Sequence, residues 1–171
     1  MVDMAGRTGD VAVIIPVASP VLTLARIGRT DLLGSFTVPV RIVDQVRYEI
    51  TKPENDPKGA RNPREPSSDL GEIAVDEYAT TLARSTGPGF VPLVLFEDPD
   101  VMDLRIARLR GVHLLNTTAW LLTLHREGLL PEGLELVEKI NTGRATPLVP
   151  FEKVGLTKRV RSSWLRRSFG R

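Results

Sequence analysis

Short apolar runs separated by longer amphipathic stretches organise this chain. Residues 11–15, 91–96 and 112–115 form three such runs, each typical of a strand that is buried on both faces of a parallel sheet. Residues 38–43 predict one more strand. Because helical patterns alternate with these runs, the sequence indicates an α/β fold whose mostly parallel central sheet is flanked by helices.

Start and stop residues mark the helices between the strands. Ser19-Pro20 predicts an N-cap followed by a proline at the first helical position, and Gly28 ends that helix. A helical turn is expected at 31–33. The further predicted helices are Asp44 to about Ile50, Leu70–Ala83 with Ile73, Ala74, Tyr78 and Leu82 facing inward, about Asp100–Arg110, Asn116 or Thr117 to Glu127, and a last one marked by Leu134, Leu136, Val137 and Ile140.

The chain is organised as one domain and a tail. A length of 171 residues suits a single large core. Residues 51–68 contain four prolines, many charges and no large aliphatic side chain, which predicts an exposed loop within the domain. We therefore expect a single domain over residues 1–150 and a C-terminal tail over residues 151–171.

Charge is divided between these two parts. From Lys153 onward there are seven basic residues and no acidic ones, whereas the 16 basic and 21 acidic residues before it give a net charge of −5. Trp164 and Phe169 lie among the basic residues of the tail. Such a tail can contact RNA phosphates and stack on bases, or can be a mobile terminus.

Composition removes several classes of site. The absence of cysteine excludes disulfides, thiolate metal sites and a cysteine nucleophile. No apolar run approaches the length of a membrane span, and residues 1–7 lack the pattern of a signal peptide. We therefore expect a cytoplasmic protein with no membrane partner.

Acidic residues follow the most apolar of the predicted strands. Glu97, Asp98 and Asp100 come directly after the run 91–96, at the end of a strand where open α/β folds bind their ligands. Two carboxylates ~4 Å apart repel by about 4 kcal/mol at an effective dielectric constant near 20, so a cluster needs a cation or solvent exposure.

The order and spacing of several segments resemble the PIN domain family over about residues 11–141. These nucleases are best known as the toxins of VapC-type toxin–antitoxin pairs. The segments that carry the resemblance are Ile14–Gly28, Ile42–Ile50 with Glu49, Leu70-Gly71-Glu72, Leu95–Asp100 and Gly111–Thr117.

This resemblance implies a three-layer, Rossmann-like domain with a metal site. Asp98, Asp100, Glu72 and Glu49 would hold Mg²⁺ or Mn²⁺, and Asp98, Glu72 and Glu49 would be the catalytic residues. In such a site the metal generates a bound hydroxide and stabilises the charge that develops on the attacked phosphate. The implied partners are RNA, a small antitoxin protein and a second copy of the chain in a homodimer.

Two departures from the family pattern bear on activity. Val17 stands where the family has an aspartate, and an apolar side chain cannot bind a hard cation, which requires oxygen ligands. The proline-rich loop 51–68 also replaces one or two helices that the family usually carries. The resemblance therefore implies a divalent-metal-dependent ribonuclease whose activity is reduced or lost.

Other interpretations of the same residues stay open. Glu72 can complete a capping box with Asp69, Asp98 and Asp100 can be helix N-terminal residues favoured by the dipole, and Glu49 can be surface charge. The chain can accordingly be a non-catalytic PIN-fold module that binds RNA or protein. An unrelated α/β nucleotide-binding domain is disfavoured because no glycine-rich loop follows a predicted strand.

Overall fold

The computed structural model describes residues 10–51, 70–85, 90–98, 101, 104–108 and 111–153. Six α-helices, four strands and one 3₁₀ turn lie in these ranges. The helices are α1 (Ala18–Arg26), α2 (Asp31–Gly34), α3 (Asp44–Thr51), α4 (Leu70–Ser85), α5 (Thr117–Arg126) and α6 (Gly133–Asn141); the strands are β1 (Asp10–Pro16), β2 (Phe90–Phe96), β3 (His113–Asn116) and β4 (Glu152–Lys153); the 3₁₀ turn is Arg105–Ala107.

The strands form one sheet in the order β1-β2-β3-β4. β1, β2 and β3 are parallel, with Ile14 beside Leu93 and Leu93 beside His113, whereas β4 runs antiparallel to β3. Because the three parallel strands point the same way, their carboxyl ends meet at a single edge of the sheet. This edge is where the site described below lies.

Side chains of alternate strand residues point to opposite faces of the sheet and enter two separate cores. Ile14, Leu93 and Leu95 pack on one face with α1, α5 and α6, while Ile15 and Val94 pack on the other with α3 and α4. Helices therefore cover both faces of a three-stranded parallel sheet, which confirms the predicted α/β class.

The helices α5 and α6 approach closely because Gly133 begins α6. A methyl group added at Gly133 would lie 2.7 Å from the carbonyl oxygen of Leu121 and 2.8 Å from the Cβ atom of His125. Nδ1 of His125 donates a hydrogen bond to the carbonyl oxygen of Pro131 over 2.8 Å and so ties the connecting loop to α5. Only glycine allows this spacing without a backbone shift.

A charged cluster joins the end of α1 to the start of α6. Arg29 donates to Asp31 over 3.0 Å through Nε and to Glu132 over 2.7 Å through Nη1. The hydrogen bond from Arg29 lowers the pKa of Asp31. The pKa of Glu132 is lowered mainly by a hydrogen bond from its own backbone and next by the hydrogen bond from Arg29. Both carboxylates are well exposed, so the cluster is a surface feature.

Two predictions near the N-terminal half were wrong. Residues 38–43 form no strand, because this segment makes one isolated bridge from Val40 to Ile14 and two backbone hydrogen bonds before turning into α3. Ser19 is not an N-cap, since α1 already begins at Ala18 and Val17 precedes it in extended conformation. Pro20 is therefore the third residue of α1 and not the first, and it is tolerated there because N–H groups of the first turn have no partner within the helix.

The inward face of α4 also differs from the prediction. Ile73 and Tyr78 are exposed, whereas the small residues Gly71 and Ala79 are buried. Small side chains let α4 pack close to α3 and the sheet. Leu82 packs against the core as predicted, whereas the inward placement of Ile73 and Tyr78 was wrong.

The helix predicted over residues 100–110 is not an α-helix in its described residues, 101 and 104–108. These residues make hydrogen bonds of the 3₁₀ type instead. Leu104 donates to the carbonyl oxygen of Val101, and Ala107 donates to that of Leu104, three residues back in each case. The buried carboxylate of Asp76 accepts the backbone N–H of Ile106 over 2.8 Å. This long-range bond competes with helical hydrogen bonding and fixes the turn against α4.

Several predictions fall outside the described residues. Thr51, the first residue of the predicted loop, is the last residue of α3. The rest of that loop lies outside the described residues, as do the capping position Asp69, the candidate ligand Asp100 and the tail beyond Lys153. The sheet takes in Glu152 and Lys153, the second and third residues of the segment predicted as a tail. None of the helices in the described ranges has both the length and the apolar character needed to cross a membrane.

Candidate functional site

A pocket of about 520 Å³ opens at the carboxyl edge of the parallel strands. We call it the carboxyl-edge pocket. One side is formed by residues that follow β1, β2 and β3, and the other by the segment between α6 and β4. The lining residues are Ser19, Phe96, Glu97, Asp98, Asn116, Arg144, Thr146, Pro147, Leu148, Val149 and Phe151.

A buried ion pair lies in the wall of this pocket. Nη2 of Arg144 donates to Oε2 of Glu97 over 3.2 Å and to the hydroxyl of Thr23 over 3.0 Å. The Thr23 hydroxyl in turn donates to the same Oε2 over 2.9 Å. Three elements far apart in sequence, namely α1, the end of β2 and the end of α6, thus meet at one carboxylate oxygen.

Burial makes this pairing necessary. The Glu97 side chain is 6% exposed and that of Arg144 is 28% exposed. An isolated carboxylate in such a place loses several kcal/mol of hydration, so a buried charge is kept only with a partner and hydrogen bonds. Nε of Arg144 also donates to the carbonyl oxygen of Ile140 over 3.1 Å, which holds the guanidinium at the end of α6.

The second oxygen of the same carboxylate is not used. Oε1 of Glu97 is buried and has no hydrogen-bond partner among the described residues. Buried polar atoms almost always have a hydrogen-bond partner, so within the described residues this oxygen is an exception.

The other side of the pocket is fastened by Asn116, the last residue of β3. Its Oδ1 accepts from the backbone N–H of Ala119 over 2.9 Å and from that of Phe151 over 3.0 Å. Its Nδ2 donates to the carbonyl oxygen of Val149 over 2.7 Å. One side chain therefore caps α5, as predicted, and fixes the segment that closes the pocket.

The residue after β1 contributes no ligand atom from its side chain. Val17 is fully buried, and its backbone N–H donates to the carbonyl oxygen of Leu95 over 2.9 Å. It packs in the core shared by the sheet, α3 and α4. It lies at the carboxyl edge of the sheet, and its chemistry is that of a core residue.

Of the four predicted ligands, Asp98 lines the pocket and is exposed, and Asp100 lies outside the described residues. Glu49 and Glu72 lie on α3 and α4. The Glu49 carboxylate is packed against the first turn of α4, because a methyl group at Gly71 would be 2.5 Å from its Oε2. Glu49 thus comes close to the turn that carries Glu72, and Gln45 donates to its Oε1 over 3.4 Å.

The described donors do not by themselves fit a divalent ion. Within those residues no group of three acidic or histidine side chains is arranged to hold a metal. Val17 supplies no side-chain oxygen, and Oε2 of Glu97 is already engaged by the guanidinium of Arg144. A hard cation needs several oxygen ligands, so the Mg²⁺ or Mn²⁺ site stays a prediction.

No known family, curated protein or solved structure matches this chain. The resemblance to PIN domains therefore depends on the sequence segments themselves. The fold agrees with the coarser expectation of a parallel sheet with helices on both faces.

Sequence reasoning missed the network that dominates the pocket. Glu97 was noted only as part of an acidic run, and neither Thr23 nor Arg144 was considered. For Glu97 a signal existed in the sequence, since it directly follows an apolar strand. For Arg144 no local signal existed, because its partner lies 47 residues away.

The two histidines have structural surroundings. His113 is buried in β3, and its Nε2 lies 3.6 Å from Oε1 of Glu152 in β4. His125 bonds the loop after its own helix, as described above. Neither lines the carboxyl-edge pocket.

Proposed function

We propose that this chain is a non-hydrolytic, PIN-like module that binds single-stranded RNA at the carboxyl-edge pocket. The observation that carries the proposal is the Arg144–Glu97 ion pair. At the edge where a nuclease of this kind needs free carboxylates around a metal, the most buried carboxylate is neutralised by a guanidinium. An arginine in that place serves to bind an anion or a polar edge and supplies no hydroxide.

RNA is favoured over protein by what surrounds the pocket. Phe151 lines it and is 37% exposed, which leaves an aromatic surface on which a base can stack. The basic stretch begins at Lys153, two residues further on, in the strand beside β3. Basic residues that follow an exposed aromatic along the sequence have the composition by which single-stranded nucleic acids are bound without sequence specificity.

The proposal is tested with a 5′-labelled single-stranded RNA 12-mer. Fluorescence anisotropy is measured in EDTA and in Mn²⁺, and the RNA is then run on a denaturing gel. We expect equal affinity in both buffers, intact RNA, and weaker binding at higher salt because phosphate contacts release counterions. Absence of binding to any RNA in EDTA would remove the proposal.

A second function, a metal-dependent ribonuclease, is favoured by one observation. Asp98 follows β2 and lines the pocket, where the family resemblance expects its strongest remaining ligand. The same gel tests it with Asp98→Asn and Val17→Asp. Cleavage by the natural chain that needs Mn²⁺ and is lost in Asp98→Asn would establish the nuclease in place of the binding module. Cleavage only in Val17→Asp would identify the missing aspartate as the reason for inactivity.

A further inference from the structure

One side of the carboxyl-edge pocket is a short segment that has neither helix nor strand. It covers residues 145–150, between Arg144 and Phe151, and we call it the flap. Four of the eleven residues that line the pocket belong to it, namely Thr146, Pro147, Leu148 and Val149. A movement of the flap therefore changes the access to the pocket.

Both ends of the flap are fixed to the body of the domain. Before it, the guanidinium of Arg144 is bonded to Glu97 and Thr23. After it, the backbone N–H of Phe151 donates to Oδ1 of Asn116 over 3.0 Å, and the carbonyl oxygen of Phe151 accepts from the backbone N–H of Asn116 over 3.0 Å. Any opening is thus confined to the six residues between these ends.

The flap itself is attached to the rest of the described chain by two hydrogen bonds. The N–H of Leu148 donates to Oδ1 of Asn141 over 2.8 Å, and Nδ2 of Asn116 donates to the carbonyl oxygen of Val149 over 2.7 Å. Leu148 packs against the core, whereas Val149 is 75% exposed. Because neither bond belongs to a helix or a sheet ladder, both can break while the secondary structure stays intact.

Two prolines make the flap stiff. Pro147 and Pro150 have a fixed φ angle and no backbone N–H, so they restrict bending and remove two donors that could otherwise attach the segment more firmly. Few attachments and a stiff middle are what a hinged wall requires, since its bending is then concentrated near its ends.

From these features we infer that the flap is a hinged gate of the carboxyl-edge pocket. It opens when its hydrogen bonds to Asn141 and Asn116 break, and it closes over a ligand when they form again. The two asparagines end α6 and β3, so the closed gate is latched to two separate elements. Such a gate admits a ligand and then shields it from water. This property goes beyond the proposed function, because it holds whatever ligand the pocket takes.

The test places single thiols on the two sides of the gate, since the chain contains no cysteine. Ser19→Cys puts a thiol on the side of the pocket opposite the flap, and its rate of reaction with an aromatic disulfide reagent measures access to the pocket. Val149→Cys carries a nitroxide spin label whose electron paramagnetic resonance line shape measures motion of the flap. A label at Glu135→Cys, exposed on α6, is the control position.

Asn141→Ala releases the first latch by removing the acceptor of the Leu148 N–H. The loss of one hydrogen bond should raise the open population about fivefold. The Ser19→Cys thiol should then react about fivefold faster, because its reaction follows the open population when opening is fast. The Val149→Cys label should become more mobile, and the Glu135→Cys label should not change. Asn141→Asp keeps the acceptor oxygen and should restore the slow reaction.

Two more variants separate the latch from the helix end that carries it. Thr142→Ala is the matched control, because the Thr142 hydroxyl lies beside Asn141 but donates to the carbonyl oxygen of Glu138 over 2.9 Å within α6. Its thiol reaction should keep the natural rate. Asn116→Asp removes the donor to Val149 and should also accelerate the reaction. It tests the gate even if Asn141→Ala does not fold.

The gate is overturned if the Ser19→Cys thiol reacts equally fast in the presence of the natural flap, Asn141→Ala and Asn116→Asp, because the pocket is then accessible without motion of the flap. It is also overturned if Thr142→Ala accelerates the reaction as much as Asn141→Ala, since the effect then comes from the end of α6. Neither measurement uses RNA, so the failure of RNA binding and the failure of the gate are separate results.

Discussion

Removal of the Arg144 guanidinium should destabilise the fold much more than removal of an arginine whose carboxylate partners are exposed. In Arg144→Met the Glu97 carboxylate keeps only the Thr23 hydroxyl as a partner. Removing one member of a buried ion pair costs about 3–5 kcal/mol. Because 28% of the Arg144 side chain is exposed, water can replace part of the lost interaction, and we expect about 2–3 kcal/mol.

This loss is measurable by urea unfolding followed by circular dichroism, and by a thermal midpoint lowered by roughly 4–12 °C for a domain of this size. Adding Glu97→Gln to Arg144→Met should recover at least about 1 kcal/mol, because a neutral amide is less costly to leave without a charged partner. A double-mutant cycle then gives the coupling between the two residues.

Arg29→Met is the matched control. Its side chain is 23% exposed, close to that of Arg144, but its partners Asp31 and Glu132 are 60% and 40% exposed. Exposed pairs contribute about 0–1 kcal/mol. The reasoning is refuted if both arginine variants lose the same stability, or if Glu97→Gln fails to relieve the Arg144→Met defect.

Three further perturbations test other parts of the fold. Gly133→Ala should cost about 1–3 kcal/mol in unfolding experiments because its methyl group meets backbone of α5, whereas Gly34→Ala, with open space around it, should change stability by less than about 0.5 kcal/mol. Arg29→Gln should lower the free energy of unfolding, and denaturant unfolding across pH measures by how much. The difference from the natural chain should be constant above about pH 5 and shrink as pH falls below about 4. The reason is that Asp31 and Glu132 have lowered pKa values in the folded chain, so their interaction with Arg29 is lost when they are protonated. A pH-independent difference would contradict this. Asn116→Asp keeps the side-chain acceptor that caps α5 but removes the donor to the carbonyl oxygen of Val149. Amide hydrogen exchange should therefore accelerate at 149–153 and not in α5. Equal acceleration in both segments would contradict separate roles for the acceptor and the donor of this side chain.

The sequence predicted those parts of the fold that depend on local pattern. Buried runs became β1, β2 and β3, and Asn116 caps α5, because apolar character and capping chemistry act over a few residues. The short strand β4 was not foreseen. Its two residues carry no strand pattern, and their pairing with Leu114 and Leu115 is decided by the tertiary structure.

The errors have a common physical cause, which is competition from distant partners. The carboxylate of Asp76 takes the backbone N–H of Ile106 and favours a 3₁₀ turn where the local sequence predicts a helix. Residues 38–43 have the composition of a strand, yet only two of their backbone groups bond to β1, through Pro39 and Arg41. Local propensity is a weak preference that such contacts override.

The same limit applies to the candidate site. Position along the chain placed Val17 and Asp98 at the carboxyl edge of the sheet, because strand ends can be recognised locally. The ion pair of Glu97 with Arg144 required the end of α6 to reach β2, which no short segment encodes. Among the described residues, the chemistry of the pocket is therefore set by a contact that becomes visible only in three dimensions.

The central claim is that a guanidinium, and not a divalent ion, neutralises the carboxylate at this edge. Electron paramagnetic resonance of Mn²⁺ tests it directly, because the signal of the hydrated ion falls when the ion binds protein. We predict an undiminished signal when up to millimolar Mn²⁺ is mixed with the natural chain. A signal that is quenched at micromolar Mn²⁺, and restored by Asp98→Asn, would contradict the account.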